Sequence, residues 1–288
     1  MEETILKPLV SYYGGKQRLA SRLIPLIPPH SVYVEPFAGG AALLFAKGRP
    51  AITNKVHYRE VLNDKDNRIT TLYRVARERP DELIRLLQMT PYSRDDYRRA
   101  YAIIDGYLMA DELMVAWAVW VALQFSFSNT IGGGFRYALL GRNNPATHAQ
   151  KQIELPEQCF RLSGVSIESL DALEILIRYD SPQTFFYCDP PYPAAMQGHY
   201  KGYTVEQFNA LVEALENCQG AYMLSCYDAE GLRAPRDAER IEIQTTSTAA
   251  LKSNNKARIE VVYRREAKGS PRPGLKLFTG ADMVSNNK

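Results

Sequence analysis

The chain has 288 residues, 45% of them apolar and 10% aromatic, so it can bury a sizeable core without disulfide or metal staples. Its 18 glycines and 17 prolines exclude collagen-like and low-complexity proteins, and its four cysteines show no C-x-x-C pair, so we expect no metal and a reducing, cytoplasmic setting. The net charge of +3 is too small by itself to indicate a polyanionic partner.

Two strand–helix units follow an N-terminus that carries acids and no apolar run, so no secretory signal is expected. A β-branched and aromatic run at residues 31–36 ends at a proline, two glycines follow, and helix-forming residues continue to Lys47. A second strand at residues 58–62 leads through Asn63-Asp64 into a helix with one apolar face. Successive units of this kind predict a parallel sheet with helices on its faces.

The pattern changes to purely helical periodicity from Glu78 to about Leu123. Its most apolar window, residues 113–127, falls short of the roughly 20 residues of a bilayer span and predicts a buried helix. A glycine- and amide-rich stretch from Asn129 to Pro145 predicts a hairpin or loop. Residues 78–157 are therefore expected to be an inserted helical and hairpin subdomain, with residues 1–77 and 158–288 forming one α/β domain.

Strand–helix alternation resumes after the insert. The predicted elements are strand 165–167, helix 170–179, strand 184–188, helix 205–217, strand 221–225 and strands 241–244 and 259–264. The last two strands have no helix between them, which predicts an antiparallel hairpin at the sheet edge.

Positive charge is concentrated in two stretches. Residues 113–153 contain no acid but three bases, and residues 248–276 contain eight bases against two acids. Two such stretches could hold one phosphate backbone. Two solvated faces or a loose tail would explain the same pattern.

The segment Asp189-Pro190-Pro191-Tyr192 follows a strongly apolar strand and carries the clearest chemical signal. Two prolines end the strand abruptly at its carboxyl end, where open α/β sheets place their sites. The Asp189 carboxylate and the Pro190 carbonyl are two acceptors, and Tyr192 is an aromatic plate, which together suit a planar group with an exocyclic NH2. The alternative is a proline strand terminator with Asp189 as a local cap.

Two further segments suggest a nucleoside cofactor. Glycines after the first strand, in Glu35-Pro36-Phe37-Ala38-Gly39-Gly40, let a backbone approach a ligand, although a plain strand-to-helix turn is an alternative. Asp64 ends the second strand, where an acid can accept from ribose hydroxyls or simply cap a helix. Near the N-terminus, Tyr12-Tyr13-Gly14-Gly15-Lys16 could fold over a cofactor and offer Lys16 to a phosphate, or form a turn.

These three segments, in this order, resemble the Dam-type, D12-class adenine-N6 DNA methyltransferases of the α group. The resemblance covers most of the chain and extends to Asn63-Asp64, Asp171, the region from Tyr200 to Phe208, and Ser253-Asn254-Asn255 with Arg258 and Glu260. It implies a Rossmann-like methyltransferase sheet, mostly parallel, into which a helical DNA-recognition subdomain is inserted. It further implies a soluble enzyme, monomeric or weakly dimeric, that transfers the methyl of S-adenosylmethionine to an adenine flipped out of duplex DNA.

The resemblance also assigns residues. The catalytic residues would be Asp189, Pro190, Pro191 and Tyr192. The cofactor-binding residues would be Tyr12, Lys16, Glu35, Pro36, Phe37, Ala38, Gly39, Gly40, Asp64 and Asp171. For DNA binding, the resemblance is joined by the base-reading donor types of the insert and the basic charge of the C-terminal stretch, and together they predict contacts at Asn129, Arg136, Tyr137, Arg142, Tyr200, Ser253, Asn255, Lys256 and Arg258.

Two other functions use the same residues. A methyltransferase acting on an RNA base or a protein glutamine amide would meet the same NH2 geometry, but such relatives more often carry Asn at position 189 and lack the insert. A catalytically silent DNA-binding protein on this scaffold is the second alternative, and the intact tetrad from Asp189 to Tyr192 argues against it.

Overall fold

A computed structural model describes residues 5–49, 57–137, 144–193, 203–227, 231–245, 258–269 and 277–284. Within these residues the strands are β1 Val32–Glu35, β2 Arg59–Asn63, β3 Val165–Glu168, β4 Thr184–Cys188, β5 Ala221–Cys226, β6 Glu239–Thr245 and β7 Arg258–Arg265. They form a seven-stranded, mostly parallel sheet in the order β3-β2-β1-β4-β5-β7-β6.

Strand pairing follows the predicted pattern. β1 pairs in parallel with β2 and with β4, and β4 pairs in parallel with β5. β7 is antiparallel both to β5 and to β6, and Glu260 lies opposite Ile243 in the β6–β7 hairpin. The expected fold, a Rossmann-like α/β sheet with an antiparallel hairpin at its edge, is confirmed.

The helices in the described residues are α1 Ala20–Leu23, α2 Ala42–Ala46, α3 Asn67–Glu78, α4 Pro80–Gln88, α5 Arg94–Ile104, α6 Glu112–Phe125, α7 Asn144–Arg161, α8 Ala172–Tyr179, α9 Val205–Asn217 and α10 Gly280–Val284. Among these described helices, α2 lies between β1 and β2, five lie between β2 and β3, and single helices follow β3 and β4. Several helices begin where an oxygen-bearing side chain accepts from a first-turn backbone N–H, because that N–H has no partner inside the helix. Asp111 accepts from Met114 N at 2.9 Å, and Thr204 forms a capping box with Gln207.

Two compact units divide the chain. Residues 1–17, 39–47 and 64–169 form the first unit, which therefore contains the whole predicted insert. Residues 18–38, 48–63 and 170–288 form the second unit. In the second unit, all five residues of β4 are buried, and Phe186 packs in a core cluster with Leu176 of α8 and Phe208 of α9.

The first unit contains the predicted buried helix. α6 carries an unbroken buried run from Ala116 to Phe125, which confirms that the apolar window is a core helix. Among the described residues, no helix is long and apolar enough to cross a membrane.

The structure corrects the end of one predicted stretch in the first unit. The hairpin or loop predicted from Asn129 to Pro145 stops earlier, because α7 begins at Asn144 and continues for 18 residues. Pro145 lies in the first helical turn, where its missing N–H costs nothing, and Pro156 is tolerated inside the helix. The two prolines weaken the helical pattern of this segment in the sequence, although α7 includes both of them.

Candidate active site

The segment from Asp189 to Tyr192 directly follows β4 and forms a corner at its carboxyl end. Asp189 follows the buried Cys188, and Pro190, itself buried, has no N–H that could extend the strand. The Tyr192 hydroxyl lies 2.8 Å from Asp189 Oδ1 and 3.0 Å from Glu260 Oε1. One phenol is therefore within donating distance of two carboxylates.

Electrostatics keep that phenol neutral. Burial raises the pKa of Tyr192 well above its usual range, and the negative charges of Asp189 and Glu260 raise it further. The Tyr192 ring meets the edge of Tyr227 with their centroids 4.8 Å apart. Tyr192 is thus a hydrogen-bond donor fixed on both its polar and its apolar side, and it carries its proton throughout the physiological range.

A buried amide, Asn63, links the segment after β1 to the segment before α8 in the second unit, and no separate role was predicted for it from the sequence. Asn63, fully buried at the end of β2, donates to Pro36 O at 2.9 Å and to Leu170 O at 3.0 Å. Its Oδ1 accepts from Leu170 N at 2.8 Å, and its backbone carbonyl accepts from Ala38 N at 2.8 Å. A polar residue directly after a buried strand was the signal that could have revealed it.

The other predicted cofactor residues of the second unit lie at and directly after the end of β1 and at the start of α8. Glu35 is buried and accepts from Tyr33 Oη at 2.6 Å. Asp171 caps α8 by accepting from Leu173 N at 3.0 Å. The Phe37 ring meets Tyr203 edge-on at 6.0 Å, and burial raises the pKa of Tyr203. Tyr203 lies in the region from Tyr200 to Phe208 to which the family resemblance extends, but no role was predicted for it.

In the first unit, Asp64 is tied to the glycine turn. Its Oδ2 accepts from Gly39 N at 2.8 Å and its Oδ1 from Asp66 N at 2.9 Å. Burial raises the pKa of Asp64 to about 6, although these two backbone hydrogen bonds lower it. The alternative role as a helix cap is wrong for Asp64, because Asp66 caps α3 by accepting from Arg68 N.

The two glycines of that turn make room for Tyr12. Gly39 has a φ of +45°, and a Cβ on Gly40 would lie 3.0 Å from Tyr12 Cβ and 3.2 Å from Val10 O. Tyr73 Oη fixes the turn by donating to Gly39 O at 2.6 Å. We expected these glycines to admit a ligand, and in the structure their missing side chains admit the segment around Tyr12.

Lys16 follows a tight turn and begins a short 3₁₀ helix, Lys16–Arg18. Gly15 N donates to Tyr12 O at 3.0 Å, and the buried Lys16 donates from Nζ to Gly14 O at 3.2 Å. The turn alternative therefore describes the local structure of this segment, and the predicted phosphate contact of Lys16 stays a prediction.

Two side chains that were predicted to contact DNA donate hydrogen bonds to carbonyls at the C-terminal end of α6. Asn129, at a φ of +54°, donates to Leu123 O at 3.1 Å, and Arg136 donates from Nη2 to Gln124 O at 2.8 Å. Carbonyls at a helix C-terminus lack partners within the helix, so such donors stabilise its end. Tyr137 is exposed. The other predicted DNA contacts lie outside the described residues: Arg142, Tyr200, Ser253, Asn255, Lys256 and the side chain of Arg258.

The segment between Asn129 and Arg136 is a fixed hairpin, as predicted. Ser126 bridges to Phe135 across it, and Phe127 N donates to Gly134 O at 2.7 Å. Tyr97 of α5 donates to Gly133 O, and a Cβ on Gly133 would lie 2.8 Å from Phe127 O. The hairpin is therefore held from α5 and within itself.

No group of three or more potential metal ligands occurs within the described parts of the chain.

Comparison with known proteins identifies the family. Residues 12–249 match the family model of the D12 class N6 adenine-specific DNA methyltransferases. The chain is 24% identical over 275 residues to the type II methyltransferase M1.LlaDCHI of Lactococcus lactis subsp. cremoris, covering 88% of this chain and 93% of that protein. It is 26% identical over 229 residues to the type II methyltransferase M.MjaIII of Methanocaldococcus jannaschii, covering 71% and 75% respectively.

Among solved structures, the rRNA methyltransferase AviRa of Streptomyces viridochromogenes aligns over 93% of this chain and 86% of its own, with 14% identity and a TM-score of 0.36. The family model covers well over half of the sequence, including the glycine turn and the Asp-Pro-Pro-Tyr corner. The chain belongs to the D12 class of N6 adenine-specific DNA methyltransferases.

Proposed function

We propose that the chain transfers the methyl group of S-adenosylmethionine to the N6 amine of an adenine flipped out of duplex DNA, with S-adenosylhomocysteine as the other product. Its family establishes adenine-specific DNA methylation and hence a methyl donor. The identity of the donor, base flipping, a cytoplasmic location and a monomeric or weakly dimeric state are the proposed refinements.

The Asp189–Tyr192 corner carries the proposal. An adenine amine is a poor nucleophile because its lone pair is delocalised into the ring. If Asp189 and the Pro190 carbonyl accept its two hydrogens, the nitrogen becomes more tetrahedral and its lone pair becomes available. The prolines support this role because they fix the turn, and the hydrogen bond from Tyr192 orients the Asp189 carboxylate before the target amine arrives.

Stacking on the Tyr192 ring would offset part of the few kcal/mol needed to take a base out of the duplex, by about 1–3 kcal/mol. The neutral, hydrogen-bonded phenol fits such a binding role better than that of an acid or a base. We therefore assign Tyr192 to binding of the target base.

Asp64 retains hydrogen-bond acceptor positions that fit a methyl donor containing adenosine. Each carboxylate oxygen can accept two hydrogen bonds, and Asp64 uses each of its oxygens for one backbone N–H, so both keep an acceptor position for ribose hydroxyls. Asp171 would lie near the adenine of the donor. When bound, S-adenosylmethionine supplies an electrophilic methyl on a sulfonium. The remaining proposed contacts are Tyr12, Lys16, Glu35, Pro36, Phe37, Ala38, Gly39 and Gly40.

Recognition of DNA is assigned to the insert, residues 78–157, on an α/β catalytic domain of residues 1–77 and 158–288. Exposed Tyr137 and the fixed hairpin support this assignment. Arg136 and Asn129 are donor types that read base edges, while the basic stretch from 248 to 276 carries phosphate-binding types.

The test is transfer of a tritiated methyl from S-adenosylmethionine to a duplex oligonucleotide pool, followed by nucleoside analysis. We expect label in N6-methyladenine with the native chain and none with Asp189→Ala. Glu213→Ala, at an exposed position on α9, is the control and should retain full activity. Label in RNA or in a glutamine peptide but not in the duplex would contradict the proposal and favour the RNA or protein alternative.

A further inference from the structure

Glu260 is a buried carboxylate that the proposed methyl-transfer steps do not use. It lies on β7 with 2% of its surface exposed, and its Oε1 is 3.0 Å from the Tyr192 hydroxyl. The same hydroxyl is 2.8 Å from Asp189 Oδ1. A buried carboxylate is costly unless hydrogen-bonded, so its approach to the target-binding corner requires an explanation.

One hydroxyl carries one proton, and that proton can point fully at only one of the two carboxylates. The hydrogen bond of Tyr192 therefore has two arrangements, one directed to Asp189 and one directed to Glu260. Both distances lie within the normal range for an O–H donor, so neither arrangement requires the ring to move.

We propose that Glu260 is a positioning residue for methyl transfer: when the target amine arrives, the Tyr192 hydroxyl directs its hydrogen bond to Glu260 instead of Asp189, so that Asp189 keeps its full acceptor strength for the amine. The proton stays on the Tyr192 oxygen in both arrangements. The inference rests on the proposed function, since it requires Asp189 to accept from adenine N6. In this role Glu260 touches neither the base nor the methyl donor and acts through the hydroxyl of Tyr192.

Single-turnover methylation at saturating duplex and S-adenosylmethionine tests this role. Glu260→Gln replaces the carboxylate by a weaker acceptor of the same shape, so the hydrogen bond of the Tyr192 hydroxyl stays directed to Asp189. We expect a rate about tenfold lower, with the dissociation constants for duplex and donor changed less than twofold. Glu260→Asp, which withdraws the carboxylate by one methylene, should slow the reaction similarly and serves if the glutamine variant does not fold.

A double-mutant cycle separates this role from mere structural support. Tyr192→Phe keeps the ring and removes the hydroxyl that can donate to either carboxylate, so we expect a measurable methylation rate. Adding Glu260→Gln to Tyr192→Phe should change that rate less than twofold. Additive effects, or a Tyr192→Phe rate below detection, would overturn the proposal. The matched control is Glu60→Gln, which neutralises a buried glutamate on β2 that pairs with Arg49 at 2.9 Å and should leave the rate unchanged.

The failure of this inference is distinguishable from failure of the proposed function. If Asp189→Ala remains active, the proposed function is wrong. If Asp189→Ala is inactive while Glu260→Gln and Glu260→Asp react at the native rate, only the role of Glu260 is wrong.

Discussion

Cofactor binding should weaken in mild acid because of Asp64. Burial raises its pKa to about 6, so at pH 5 only about one molecule in eleven carries the ionised carboxylate, which is the better acceptor for ribose hydroxyls. We therefore expect S-adenosylhomocysteine to bind about tenfold more weakly at pH 5 than at pH 7.5, a difference of about 1.4 kcal/mol.

Protonation of Asp64 should stabilise the unliganded protein, although it weakens cofactor binding. Its pKa is higher in the folded than in the unfolded chain, so the folded state takes up the proton first as pH falls from about 6 towards the ordinary value of 3.8. Protonation of Asp64 in this window favours folding while it weakens ligand binding. A general loss of structure in acid would weaken both together.

Calorimetric titration at pH 5, 6 and 7.5 measures the effect directly. Asp64→Asn should bind about 1.5–3 kcal/mol more weakly at pH 7.5 and lose the pH dependence. Asp66→Asn is the matched control: it keeps the dependence but moves its midpoint to lower pH, because the charge of Asp66 raises the pKa of Asp64. Binding that is equally strong at pH 5 and 7.5, or an Asp64→Asn variant with the native pH profile, would refute this reasoning.

Three further variants test other parts of the molecule. Asp189→Ala should abolish methyl transfer in the tritium assay while donor affinity, measured by calorimetry, stays within about tenfold; a fall in affinity alone would contradict its role. Gly40→Ala should lower the free energy of unfolding in urea by about 1–3 kcal/mol, because its Cβ would lie 3.0 Å from Tyr12 Cβ; unchanged stability would show that Tyr12 shifts freely. Arg136→Ala should lose about 0.5–1.5 kcal/mol of stability, because its hydrogen bond to Gln124 O is lost. In methylation of a randomised duplex library, it should also relax discrimination at one base position. A native sequence profile would show that Arg136 only stabilises the end of α6.

The sheet was predictable because its strands have strong local signals. The apolar run from Thr184 to Cys188, stopped by two prolines, gives the observed β4, and the capping pattern Thr204 to Gln207 marks the start of α9. The antiparallel pairing of β6 and β7 was predicted because the sequence indicates no helix between the two strands. These features depend on short stretches of sequence, which tertiary packing reinforces.

The features that could not be predicted depend on contacts between residues that lie far apart in the sequence. Asn63 holds Pro36 and Leu170, which is 107 positions further along the chain, and no local pattern encodes this. Tyr12 packs against Gly40 in the glycine turn. From the motif alone, the missing side chain of Gly40 was interpreted as space for a ligand. The meeting of Tyr192 and Glu260, 68 positions apart, likewise depends on the pairing of β7 with β5.

Modification-sensitive sequencing of DNA from cells without their own adenine methylation tests the central claim most directly. Cells that express the chain should carry N6-methyladenine at one recurring sequence, and cells that express Asp189→Ala at the same level should carry none. Native protein that is folded and binds S-adenosylmethionine but leaves the DNA unmethylated, or equal methylation by the variant, would contradict the account.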